Sequence, residues 1–427
     1  MLNSKQSHVL LLMAGLVGFN TTADALTVEE LEAKMNARFE KLEQENQKLR
    51  TENAELKSRL TETTEQVETN KVAVETVADN YDNTEAVSRW FNKTTLGGYG
   101  ELHYNHLSND TREIDFHRFV LFFGHEFTDR LRFFSEIEVE HALSSSSSDG
   151  EVEVEQAFLE YDVTQQPHGI LDSSQIRGGL FLIPVGILNE THEPPTFYGV
   201  ERNDVESVIV PATWWAGGFG GTLNFNYGIS VDLAVTSGLN LSGEGNSAWR
   251  IRSGRQKVSK ARANDFAYTT RLKYTGIPGL EVAGTFQYQG DMGQEAVAGL
   301  GAGRLYEVHG IYTHAVGPGA ATLKALWAKW DINGEAIDAA DADNQYGWYL
   351  EPSYRFDTGI LGDIGIYGRF EKVKGWRTSD RFRQWEGGLN WWPHQDIVVK
   401  FDYRYNNNSV EGSRDFEGFD LGLGYQF

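Results

Sequence analysis

The chain of 427 residues contains no cysteine. Disulfides, thiolate metal sites and thiol nucleophiles are therefore excluded together. Positive charge is in deficit, since 38 lysines and arginines stand against 61 aspartates and glutamates for a formal net charge of -23. That balance disfavours nucleic acid as the main partner, because binding a phosphate backbone requires clustered positive charge. Long apolar runs are also missing. Apart from the extreme N-terminus, no stretch approaches the roughly 18 apolar residues of a membrane-spanning helix, which excludes a helical membrane protein. Proline is scarce at 9 residues, whereas 45 glycines and 12% aromatics mark a chain that folds rather than a disordered acidic one.

The N-terminus carries an export signal. Lys5 and His8 accompany the run VLLLMAGLVGF, and Ala23-Asp24-Ala25 supplies a small-residue cleavage site, so residues 1–25 are expected to be a signal peptide. From Thr27 to Asp79 the sequence has neither proline nor glycine and repeats every seven residues. Met35, Leu42, Leu49 and Leu56 fall at position d, and Phe39, Asn46, Asn53, Leu60, Val67 and Val74 at position a. Residues 26–80 are expected to form a coiled coil, with 81–93 a linker. Asparagine at a fixes register in a self-associating coil, which favours a homo-oligomer without setting its size; a solvated lone helix is the alternative.

Beyond the linker the period changes to two and stays there. In IVVKFDYRY, Ile397, Val399, Phe401, Tyr403 and Tyr405 share one face, and Val398, Lys400, Asp402 and Arg404 the other. LEVAGTFQY and FAYTTRLKY repeat the pattern. A soluble sandwich would alternate too, so strand length and number decide. Sixteen strands are expected, beginning near residue 94 and ending at 427. Each reaches the roughly 9 to 11 residues of a tilted transmembrane strand. Connections alternate between short (EFTD, NYG, TGIPG, VGPG, WPHQD) and long (ALSSSSSDGE, 185–213, 240–263, DINGEAIDAADADN), the asymmetry of an outer-membrane barrel with short periplasmic turns. In lipid a sheet must close so that no backbone polar group meets hydrocarbon unpaired. The expected fold is thus all-β, a 16-stranded antiparallel transmembrane β-barrel over residues 94–427, preceded by an α-helical coiled coil in the periplasm. A mean hydropathy of -0.43 fits a polar lumen averaged with an apolar rim. The closing strand GFDLGLGYQF puts Phe419, Leu421, Leu423, Tyr425 and Phe427 outward, and resembles the C-terminal signal read by the barrel-assembly machinery.

Residues 179–220, GLFLIPVGILNETHEPPTFYGVERNDVESVIVPATWWAGGFG, resemble porins related to the phosphate-selective porin O/P family. The resemblance covers the barrel, and the coil is similar to N-terminal extensions of some relatives. It implies a trimer whose third outer loop, about 185–213, folds inward to constrict the channel. It does not carry over a phosphate site. That loop bears Glu190, Glu193, Glu201, Asp204 and Glu206 against a single Arg202.

Positive charge is concentrated in the fourth outer loop, WRIRSGRQKVSKAR, where Arg250, Arg252, Arg255, Lys257, Lys260 and Arg262 lie within 13 residues without an acid. These six can draw anions to the mouth, bind lipopolysaccharide phosphates, or sit in solvent. On the wall, Arg132, Arg271, Lys273, Arg369, Lys400 and Arg404 are expected to face the lumen, opposed by Glu136, Glu138, Glu281, Glu371 and Asp402. GGFGG at 217–221 has no helix after it to bind phosphate, and its small residues are read as room for the infolded loop. His103 and His106 fall on opposite faces of a strand and do not share a metal. His192 beside Glu190 and Glu193 has cation-binding chemistry, but no metal, cofactor or catalytic site is assigned.

The functional expectation is an outer-membrane porin for passive diffusion of small hydrophilic solutes and ions, with anions such as phosphate among the candidates. The competing expectation is a structural barrel that tethers the envelope through its coil. Lipid, lipopolysaccharide, the assembly machinery and further copies of the chain are the expected partners.

Overall fold

The computed structural model describes residues 28–80, 90–108, 112–142, 150–164, 166–407 and 415–427; the expected signal peptide and most of the linker lie outside them. The chain divides into two units, residues 1–85 and 86–427. In the first, α1 (Val28–Asn80) is a continuous helix of 53 residues. Its Leu, Glu, Lys, Ala and Gln content favours that conformation, and Asn53 Nδ2 bonds back to the Leu49 carbonyl at 2.9 Å. Phe39, Leu42, Leu49, Leu56, Leu60 and Val67 are 50 to 67% exposed, so the heptad seam is uncovered in the single chain. Helices draw most of their stability from covering such a seam.

The second unit contains sixteen strands: β1 (Thr94–Leu107), β2 (Glu113–Glu126), β3 (Leu131–Glu140), β4 (Val152–Asp162), β5 (Leu171–Leu182), β6 (Trp215–Phe225), β7 (Ile229–Thr236) and β8 (Ala267–Tyr274) form one half of the sequence. The others are β9 (Leu280–Gln289), β10 (Gly303–Val316), β11 (Gly319–Ile332), β12 (Asn344–Asp357), β13 (Asp363–Lys374), β14 (Arg381–His394), β15 (Ile397–Asn407) and β16 (Phe416–Gln426). Each pairs antiparallel with its sequence neighbours, and β1 pairs with β16 in a register running from Tyr99 opposite Gln426 to Leu107 opposite Gly418. The barrel is closed. No strand edge is left to meet lipid or another sheet.

Alternation follows the sequence. On β15, Phe401, Tyr403 and Tyr405 project outward and are exposed, whereas Val398, Lys400, Asp402 and Arg404 are buried inside. One departure has consequences. Glu136 pairs with Gln156 and Ile137 with Val154, so Glu155 is an extra residue in β4, a bulge that turns both Glu155 and Gln156 inward. The phase change is visible in EVEVEQAFLEYD, where polar positions run 151, 153, 155 and then 156, 160, 162.

Loop lengths sort between the two rims. Short turns such as 226–228, 317–318 and 395–396 lie on one, and loop 3 (183–214) and loop 4 (237–266) belong to the other. Strands β7 and β8 are shorter than expected because Leu239 leaves the ladder; its N–H donates to the Gln289 side chain at 2.8 Å and its side chain is fully buried. Within the barrel, Ile183, Val185, Ile209 and Trp214 of loop 3 pack with Leu239, Leu241, Trp249 and Ile251 of loop 4 and with Trp330 and Tyr349 of the wall. Each such buried large side chain contributes on the order of 1.5 to 3 kcal/mol. Part of the lumen is therefore a packed apolar core rather than an aqueous space.

Candidate functional site

Loop 3 folds inward and crosses the lumen. Its start is pinned by Asn189, whose Nδ2 donates to the carbonyls of Ile183 and Trp214 at 2.7 and 3.0 Å while its Oδ1 accepts from Trp214 N at 2.6 Å. The Pro194–Thr196 turn then reaches β16, and Val205–Ile209 reaches β11, β12 and β13. Wall glycines admit it. A Cβ at Gly424 would stand 2.3 Å from Pro194, and one at Gly422 3.2 Å from Val200. The inward face of the closing strand is thus glycine because loop 3 lies on it. GGFGG serves differently from expectation: Gly217 faces Val258 of loop 4 at 3.3 Å, and Gly220 faces Phe181 of β5.

The acids of loop 3 are largely committed to structure. Glu206 is fully buried and accepts from the N–H groups of Ile187 and Leu188 at 2.6 and 2.7 Å, from Asn203 at 3.0 Å and from Tyr349 at 2.9 Å. Glu190 pairs with Arg271, which also binds Asp232. Glu201 bonds His103 at 3.2 Å and Asn105 at 3.0 Å. Burial opposes its charge, but the His103 imidazolium outweighs burial and holds the carboxyl well below the usual range. Asp204, by contrast, is pushed by burial up to about 6. Glu193 is half-buried, and its backbone carbonyl caps the Pro194–Thr196 turn.

Arg202 is the exception. Its Nε and Nη2 are buried without an acceptor among the described residues, and burial, reinforced by Arg118, lowers its affinity for a proton. Loop 3 was expected to present negative charge; among the described residues only Glu190 and Glu201 of its acids form ion pairs, and the loop also holds a guanidinium with no acceptor.

Loop 4 is only partly a free basic surface. Arg252 donates to the carbonyl of Ala212, and Arg255 to that of Thr213, so both tie loop 4 to loop 3. Burial first, then Arg255, brings Arg252 down to about 9. Arg250 lies 3.3 Å from Asp380, and Lys257 meets Glu151 and Glu153. Lys260 and Arg262 are exposed.

The predicted wall residues face inward, and most are paired. Arg369 binds Glu351 at 3.0 Å and Glu386 at 2.5 Å, and Arg404 binds Asp420 at 2.5 Å. Arg132 binds Glu160 and Asp162 at 2.7 and 2.8 Å. Lys400 donates to Gly199 O at 2.8 Å and Asp402 accepts from Val200 N at 2.7 Å, clamping loop 3 to β15. Lys273 is half-buried on β8.

A cavity of about 610 Å³ remains between loop 3, loop 4 and the β1, β2, β15 and β16 wall. Arg118, Arg202, Arg250, Arg252, Arg377 and Arg404 line it, with Glu101, Asp115, Glu201, Asp204 and Asp380 among the acids. Sequence reasoning missed Arg118 and Arg377, because alternation alone does not say which inward residues share one cavity.

These features define a class: a closed sixteen-stranded barrel with an infolded third loop and a charged lumen, the porin-like architecture. Solved structures of low sequence identity share that fold. OmpF of Salmonella typhi aligns with a TM-score of 0.52 at 14% identity, covering 78% of this chain and 97% of that one. The outer-membrane channel DcaP of Acinetobacter baumannii aligns with a TM-score of 0.50 at 11% identity, covering 78% and 97%. No protein-family model matches the chain. The chain belongs to the same family as an uncharacterized protein of Aquifex aeolicus (strain VF5), with which it is 31% identical over 342 residues, 72% of this chain and 74% of that protein.

Proposed function

We propose that the protein is an outer-membrane porin that passes small hydrophilic solutes by passive diffusion, with loop 3 setting the constriction and anions favoured over cations. The observation that carries the reading is loop 3 itself, folded across the lumen beside a charged cavity, with the Arg202 guanidinium lacking an acceptor among the described residues while Glu190 and Glu201 are paired with Arg271 and His103. The apolar outer face and closed ladder support placement in lipid. Fixed charge at a narrow point selects ions because low-dielectric walls focus its field. The likeness of residues 179–220 to porins related to the phosphate-selective porin O/P family belongs to the proposal, without a phosphate site. So do the signal peptide, the periplasmic position of α1 and assembly into a trimer through its seam.

The test is a planar-bilayer recording of the purified protein under a KCl gradient. Discrete conductance with an anion-selective reversal potential is expected. Cation selectivity would overturn the charge assignment, and absence of conductance would overturn the channel.

The uncovered seam of α1 favours one other reading, a barrel that anchors the envelope. Deleting residues 26–80 separates the two. Weaker oligomers with retained single-barrel conductance support the porin; detached envelope with unchanged solute uptake supports the tether.

A further inference from the structure

Where loop 3 passes β3 and β4, an imidazole nitrogen and two carboxylates face one another. His192 Nε2 lies 3.6 Å from Glu136 Oε1 and 3.9 Å from Glu155 Oε2, and the ligand atoms all fall within 4.8 Å of one another. The residues are 3%, 1% and 0% exposed. Neither Glu155 oxygen nor His192 Nε2 has a hydrogen-bond partner among the described residues. We propose that His192, Glu136 and Glu155 form a binding site for one divalent first-row transition cation, which fastens loop 3 to the barrel wall.

Three observations support it. First, the imidazole is oriented as a ligand: its Nδ1 faces the Asn189 carbonyl at 3.3 Å, which keeps the proton there and leaves the Nε2 lone pair pointing at the carboxylates. Asn189 is itself held by three hydrogen bonds to the ends of loop 3. Second, Glu136 is supported from behind, its Oε2 accepting from Gln156 Nε2 at 2.6 Å. Third, Glu155 is the bulge residue of β4, so a local irregularity of the sheet aims it inward.

The spacing suits an ion. Ligand atoms about 2.0 to 2.2 Å from one metal stand roughly 3 to 4.3 Å apart, depending on the angle between them. One imidazole nitrogen with two carboxylates matches Zn²⁺, Co²⁺ or Mn²⁺ better than a soft thiophilic ion. A direct His192 to Glu136 hydrogen bond is too long at 3.6 Å to replace it. Arg118 forms no ion pair with Glu136 or Glu155, its guanidinium being engaged with Glu101 at 2.7 Å and approaching Glu138 at 3.5 Å. Glu138 adds a further carboxylate next to Glu155, which a shared proton would satisfy in place of a metal. The expected partners from the sequence, Glu190 and Glu193, are not the ones the fold supplies. The assignment does not depend on what crosses the lumen.

The full-length protein in detergent, stripped with chelator, is titrated with ZnCl₂ by calorimetry and with CoCl₂ by visible absorption. One ion per chain is expected, with d–d bands for cobalt, and Glu155→Gln and His192→Gln should each weaken uptake at least tenfold. His117→Gln, in the separate Asp115, His117 and His141 group, should leave it unchanged. No uptake by the wild-type protein, or uptake unchanged in both Glu155→Gln and His192→Gln, would overturn the site and leave a shared proton as the occupant. Heat-modifiable gel mobility shows which variants fold; should Glu155→Gln fail that check, His192→Gln decides.

Discussion

The Tyr349 hydroxyl of β12 donates to Glu206 of loop 3 at 2.9 Å, across 143 residues of sequence. The same carboxylate gathers the N–H groups of Ile187 and Leu188, so one side chain joins the two limbs of the loop to the far wall. A carboxylate that organises a loop in this way is costly to remove. Hydrogen bonds to a charged group contribute about 1.5 to 3 kcal/mol each. Glu206→Ala should lower the unfolding temperature and broaden the single-channel conductance distribution, while Tyr349→Phe should cost less, about 1.5 kcal/mol or more. Thermal melts and bilayer recordings check both.

Arg202 lies in the constriction with two guanidinium nitrogens that have no acceptor among the described residues. Replacing it by glutamine should shift the reversal potential under a KCl gradient toward the cation side without lowering stability. Truncating Lys260 and Arg262 together, which are exposed, should move it much less, because charges in bulk solvent are screened over about 8 Å at physiological salt.

Asp204 gives the pore a pH dependence. Burial raises its carboxyl to about 6, so it is charged above that pH and neutral below it. Lowering the pH from 8 to 5 therefore removes a negative charge from the cavity and should increase anion selectivity. The shift should be diminished in Asp204→Asn, measured by reversal potential at both pH values.

The glycines of β16 should be intolerant of side chains. Gly424→Val places atoms where Pro194 lies, 2.3 Å from the built Cβ. The nearest atom is the Pro194 Cβ, whose ring cannot rotate away from the chain, so loop 3 should be displaced. Larger unitary conductance with an intact barrel is expected, read in bilayers and by gel mobility.

Much of this architecture is legible along the chain. Strand count, closure and the outward apolar face follow from a period of two maintained from Thr94 to Phe427 with turn residues at regular intervals, since lipid permits only closed sheets. Helix α1 is equally readable, as is the inward direction of Arg369, Lys400 and Arg404. Even the bulge at Glu155 leaves its trace, as a change of phase in EVEVEQ.

Which inward groups meet was decided only by tertiary structure. Composition makes loop 3 look acidic, yet Glu190, Glu201 and Glu206 are consumed by Arg271, His103 and backbone N–H groups far away in sequence. Loop 4 looks freely basic, yet Arg252 and Arg255 are bound to loop 3 carbonyls. Alternation assigns a residue to a face, but the field in the lumen depends on pairing over a few ångströms, and pairing depends on where an infolded loop comes to rest. The sequence by itself therefore determined the barrel and the direction of its side chains. The Arg202 guanidinium without an acceptor among the described residues, and the meeting of His192 with Glu136 and Glu155, arose only when loop 3 crossed the closed lumen.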